Sequence, residues 1–150
     1  MGKTKYVDVN NHRAHIWDDA LNIVLAHIIE VQSAMGISDE DLSGWIVHAS
    51  LGGDSLVFSY SQAHYPHHSI MLDVVDTARE RIIAMGDVTP EIVADWTLGP
   101  DNKRVSGGTL RGNEPIEVDR LLEVVDWIDR ALRSDPYLEQ NLVVGDRHRP

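Results

Sequence analysis

The chain contains no cysteine, which excludes a disulfide framework, a thiolate metal centre and a nucleophilic thiol, and fits a reducing compartment. Long apolar runs are missing too: the uncharged stretch Ala20–Ile29, interrupted by Asn22 and His27, is ten residues, about half of the ~20 that a membrane helix needs. Lys3 and Lys5 are followed by no apolar segment of signal-peptide type, so the expected location is the cytoplasm. Cations are few, 13 Lys and Arg against 24 Asp and Glu, for a net charge of −11. They concentrate only at Lys103–Arg104 and at Arg147, His148 and Arg149, which disfavours direct contact with a nucleic-acid backbone. No internal repeat, low-complexity tract or Pro/Gly/Ser-rich linker divides the 150 residues, a length that suits one domain.

What the chain does have is helical periodicity. Trp17, Leu21, Val24, Ile28, Val31 and Met35 recur at steps of three and four and predict a central helix over 14–35, stopped by Gly36. Ser38 with Asp39, Glu40 and Asp41 marks a second helix start, carrying Leu42, Trp45, Ile46 and Ala49 to Gly52–Gly53, with a strand over 45–50 as the alternative. Met71, Val75, Ala78, Ile82 and Met85 predict a third helix over 70–85. Thr89–Pro90–Glu91 opens a short one over 90–98, before Gly99–Pro100. Val118, Leu121, Leu122, Val125, Ile128 and Leu132 place the last long helix at 115–133, with Asp126–Arg130 and Asp129–Arg133 spaced for ion pairs on its outer face.

Alternation at Leu56, Phe58 and Tyr60 predicts a strand over 54–61. Tyr6–Val9 and Leu142–Val144 are too short to be strands unless they join it, and 137–144 reads equally as a short helix. The glycine-rich segment 101–113 reads as an exposed loop or a small hairpin across Gly107–Gly108. The expectation is therefore a mainly α, or α+β, compact helical domain of about five helices with a minor small sheet. Its core should gather around Trp17, Leu21, Ile28, Val75, Ile82, Leu121, Val125 and Ile128.

Eight histidines offer the most chemistry. His64, His67 and His68 surround Pro66, while His12 and His15 stand at i, i+3 just before the long helix, followed by Asp18 and Asp19. Imidazole and carboxylate suit a divalent transition metal, and a catalytic zinc site commonly uses three protein ligands with one open position. The metalloprotease helix motif is absent, however, and the plain alternative is a set of surface imidazoles, with His27 and His48 hydrogen-bonded in or beside helices. Neither the serines near Gly52–Gly53 nor the Ser106–Gly107–Gly108 turn carries a nucleophile-elbow or phosphate-loop pattern. The carboxylates Glu114, Glu117, Glu123 and Asp126 belong to one helix and read as its solvated face.

Two functions follow as expectations. The first is a small acidic cytoplasmic protein that binds a basic protein partner, such as an immunity protein, antitoxin or inhibitor. Asp39, Glu40, Asp41, Glu117, Glu123 and Asp126 are its candidate contacts, and self-association stays open. The alternative is a small metal-dependent hydrolase using the histidine-rich loop with His12, His15 or Asp18. No other cofactor is indicated.

Overall fold

Two consecutive asparagines set the first pairing. Asn10 and Asn11 both take left-handed backbone angles, φ 49° and 65°, which asparagine tolerates better than most side chains. They fold the chain into a hairpin with Val7 opposite Ala14 and Lys5 opposite Ile16. The structure is a computed structural model and describes residues 4–37, 58–60, 68–99, 101–139 and 142–145. Its elements in chain order are β1 (Thr4–Val9), β2 (His12–Trp17), α1 (Asp18–Ala34), β3 (Phe58–Tyr60) and α2 (His68–Met85). There follow α3 (Pro90–Asp95), β4 (Thr97–Leu98), β5 (Lys103–Arg104), α4 (Val118–Leu132) and β6 (Leu142–Val144), with 3-10 turns at Val105–Gly108 and Arg111–Asn113.

The small sheet has the order β3-β1-β2-β6, β3 running parallel to β1 and β6 parallel to β2. The short segments at 6–9, 58–60 and 142–144 thus do join one another, with a fourth strand between them. That fourth strand is a correction. Residues 14–17, expected as the first turn of the long helix, belong to β2, because the Asn10–Asn11 turn returns the chain along β1 and Ala14 and Ile16 alternate inward. Trp17 consequently ends a strand and is only half-buried.

The helix that starts at Asp18 buries every residue through Ile29, then Val31 and Gln32, as a helix enclosed on all sides must. It packs against α2, α4 and the 105–108 turn. Leu21, Ile28, Val75, Ile82, Leu121, Val125 and Ile128 all lie at 0 or 1% exposure, so the core is the expected one apart from Trp17. Four α-helices occur among the described residues, mainly α structure with a minor mixed sheet, where about five were expected. The expected second helix, opening at Ser38 and stopped by Gly52–Gly53, and its strand alternative over 45–50 lie outside the described residues.

Between α2 and α4 the chain is less regular. Thr89 caps α3, its hydroxyl accepting from the Ile92 N–H at 3.3 Å, but α3 ends at Asp95 because Trp96 turns extended and leads into β4. β4 pairs with β5 in a two-stranded hairpin, Thr97 opposite Arg104 and Leu98 opposite Lys103, so the paired strands do not flank Gly107–Gly108. An isolated bridge between Val88 and Ile116 ties the ends of this segment together. Among the described residues no helix is long and apolar enough to cross a membrane.

Candidate functional site

The arginines of this chain are largely consumed internally. Arg13 meets Asp8 at 3.2 Å, Arg130 meets Asp135 at 2.7 Å, and Arg79 on α2 meets Asp126 on α4 at 2.6 Å. Arg133 meets Asp129 at 3.1 Å and Asp76 at 3.4 Å, and Arg81 pairs with Glu30. Of the two helical pairs read from spacing, Asp129–Arg133 forms. Asp126–Arg130 does not, because Asp126 reaches across to α2 while Arg130 turns to Asp135. The Asp135 carboxyl is held below its ordinary range by the Tyr137 N–H, at 2.9 Å, and by Arg130. Meanwhile Asp73, Glu80, Glu91, Asp95, Glu117 and Asp119 are exposed and carry no ion pair among the described residues.

Of the six candidate partner contacts, Glu117 stands exposed at the N-cap of α4, Glu123 is half-buried, and Asp126 is exposed but engaged by Arg79. Asp39, Glu40 and Asp41 lie outside the described residues. Around Glu117, Asp87 accepts the Val118 N–H at 2.8 Å, so the Val88–Ile116 bridge gathers Asp87, Glu117 and Asp119 at the start of α4.

The histidines do not assemble as a helical pair would. His12 and His15 lie on β2, where a separation of three puts them on opposite faces. Both His12 ring nitrogens face carbonyls, Asn10 O and Asp135 O, each at 3.1 Å, whereas His15 is exposed with its ring edge-on to Tyr6. Asp18 is buried at the start of α1, and His68 is the first residue of α2. His64 and His67 lie outside the described residues. Among the described residues, no three His, Asp or Glu side chains are grouped to hold a metal.

Two buried polar clusters against α1 escaped the sequence reading. The first joins four elements at the start of the helix. The Lys5 ammonium donates to Asn22 Oδ1 at 2.8 Å, and Asp19 Oδ1 accepts from the Ala20 N–H at 2.7 Å and from Arg120 Nη2 at 3.2 Å. Arg120 Nε donates to the Gly145 carbonyl at 2.7 Å, just after β6. Gly145 has φ +77°, and a Cβ there would lie 2.9 Å from Val124 Cγ2, so only glycine brings that carbonyl so close to α4. The available signal was parity: Lys5 shares the inward register of Val7 and Val9.

The second cluster sits farther along α1. His27 is fully buried, its ring 4.9 Å from the Trp96 ring and edge-on to it, and neither ring nitrogen has a hydrogen-bond partner among the described residues. One turn on, Glu30 accepts from Trp96 Nε1 and from Arg81. Burial pushes the His27 imidazole down to about 4 from 6.5, and the Arg81 charge acts in the same direction. His27 was expected to be a hydrogen-bonded helix position; instead it packs edge-on to Trp96, its burial favours the neutral ring, and neither nitrogen is bonded among the described residues. Periodicity alone did not flag it, since a histidine within a helical stripe looks the same whether or not it is bonded. Comparison of the chain with protein-family models, with curated proteins and with solved structures finds no match.

Proposed function

We propose that the protein acts by binding a basic protein partner through its acidic surface, as an immunity protein, antitoxin or inhibitor does. The observation that supports this reading is the unequal use of charge: most arginines are spent on internal carboxylates, while exposed acids such as Glu117, Asp119 and Glu91 have no cation beside them among the described residues. Outward negative potential of this kind steers a positive partner and raises its association rate without any catalytic group. The patch at the start of α4 is the favoured contact, because Asp87 and the Val88–Ile116 bridge hold its backbone in place. No observation favours the alternative, a metal-dependent hydrolase, among the described residues.

The test is kinetic. With a partner identified by co-purification, its association rate should fall at least about tenfold between ~0.05 and ~0.5 M salt, where the Debye length shrinks to ~4–5 Å. Replacing Glu117 and Asp119 together by lysine should slow association at low salt and leave the helical circular dichroism intact. A salt-independent rate, or a partner that is itself acidic, rejects the reading.

A further inference from the structure

We propose that His27 is an acid-operated latch, whose protonation releases Trp96 and the β4–β5 segment behind it from α1. Among the described residues, neither ring nitrogen of the imidazole finds an acceptor, and the side chain has no exposed surface. As a neutral ring it serves as an apolar edge against Trp96. As an imidazolium it presents two N–H donors and a charge in a place that can satisfy neither. The charged groups facing it among the described elements offer no relief. Glu30, on the same helix, is already taken by Arg81 and by Trp96 Nε1, and Arg81, from α2, carries the same sign as the incoming proton. Trp96 contributes no charge.

Hydrating that ring requires something to move, and the elements around it differ in what they would lose. α1 is enclosed by α2 and α4 along helices of 15 to 18 residues. Trp96 belongs instead to a segment built of a six-residue helix and two strands of two residues each. That segment hangs on the tryptophan: the Val105 N–H donates to the Trp96 carbonyl at 3.0 Å, and buried Leu98 and Val105 follow the ring into the core. Short elements with few internal hydrogen bonds open first. The latch is therefore Trp96, and the proton acts by making its closed position incompatible with a charged His27.

The direction with pH follows from the ring's depressed proton affinity when closed. The closed form is fully stabilised above the ordinary histidine range and loses that stability as pH falls from about 6.5 toward 4. With those two values the opening equilibrium should rise about twentyfold between pH 7 and pH 5.

Hydrogen exchange of the full chain reads this directly, with amide rates corrected for the intrinsic effect of pH. The Val105 amide should show about twentyfold more opening at pH 5 than at pH 7, while Val7 and Ile16 in the β1–β2 hairpin change less than about twofold. His27→Leu, which cannot be protonated, should flatten the Val105 response, and His27→Gln should do the same if the leucine variant does not fold. Equal losses at Val105 and in the hairpin would mean global unfolding and overturn the latch. So would a Val105 response that survives in either variant, or a His27 ring that titrates near 6.5 in the folded chain.

Discussion

The two polar clusters on α1 differ in whether their charges meet partners. At the helix start, Lys5 bonds Asn22, and Asp19 bonds Arg120, which in turn bonds the Gly145 carbonyl, so that β1, α4 and the end of β6 are each fastened through this end of α1. Farther along, His27 is equally deep but has no hydrogen-bond partner among the described residues, and the acid nearby, Glu30, is already committed. A buried charge costs several kcal/mol to desolvate and holds its place only if donors and acceptors match around it. A buried neutral imidazole avoids that cost as long as it stays neutral. The first arrangement fixes geometry by matching charges and donors to partners, and the second makes one contact conditional on the ring staying neutral.

Substitutions can break this contrast at graded strength. Arg120→Met removes the donor to Gly145 and the cation beside buried Asp19, and should cost ~3–5 kcal/mol in urea denaturation at pH 7. Adding Asp19→Asn should cost less than the two single changes summed, since the pair shares one interaction. If Arg120→Met costs under about 1 kcal/mol, the cluster does not fasten the elements. The apolar background between the clusters sets the scale: Ile28→Ala and Leu121→Ala, both at positions of 0% exposure, should each cost ~2–5 kcal/mol by the same measurement.

At the second cluster the cost should be much smaller. His27→Leu exchanges two unsatisfied nitrogens for methyl groups and should leave stability at pH 7 within ~1 kcal/mol of the unmodified chain. A loss above ~2 kcal/mol would show that the ring is hydrogen-bonded in solution and would erase the difference between the clusters. The smallest effect belongs to the surface. Asp126→Asn weakens an ion pair with Arg79 that is half exposed, and thermal or urea unfolding should register at most ~0.5–1 kcal/mol.

The long elements were legible because burial on one stripe repeats every three to four residues. The expected 70–85 and 115–133 helices match α2 (His68–Met85) and α4 (Val118–Leu132) within three residues at each end. The Thr89–Pro90 start of α3 was equally readable, because the cap and the proline act locally. The start of α1 was misplaced because Trp17 fits a helical stripe as well as the end of a strand, and the deciding Asn10–Asn11 turn lies outside that stripe. The candidate contacts on α4 were found as charges, but which of them remain available was hidden: Asp126 is engaged by Arg79, a residue from a different helix.

By itself the sequence determined the chain's net negative charge, the run of the long helices apart from the start of α1 and most of the apolar core, since these depend on composition and on short-range spacing. Only the tertiary structure decided which charges cancel. Asp19 meets Arg120 across 101 positions of sequence, Glu30 meets Arg81 across 51, and His27 is left beside Trp96 with no acceptor among the described residues. Pairing of that kind depends on distance in space and on the exclusion of water, and neither is written in any local pattern of residues.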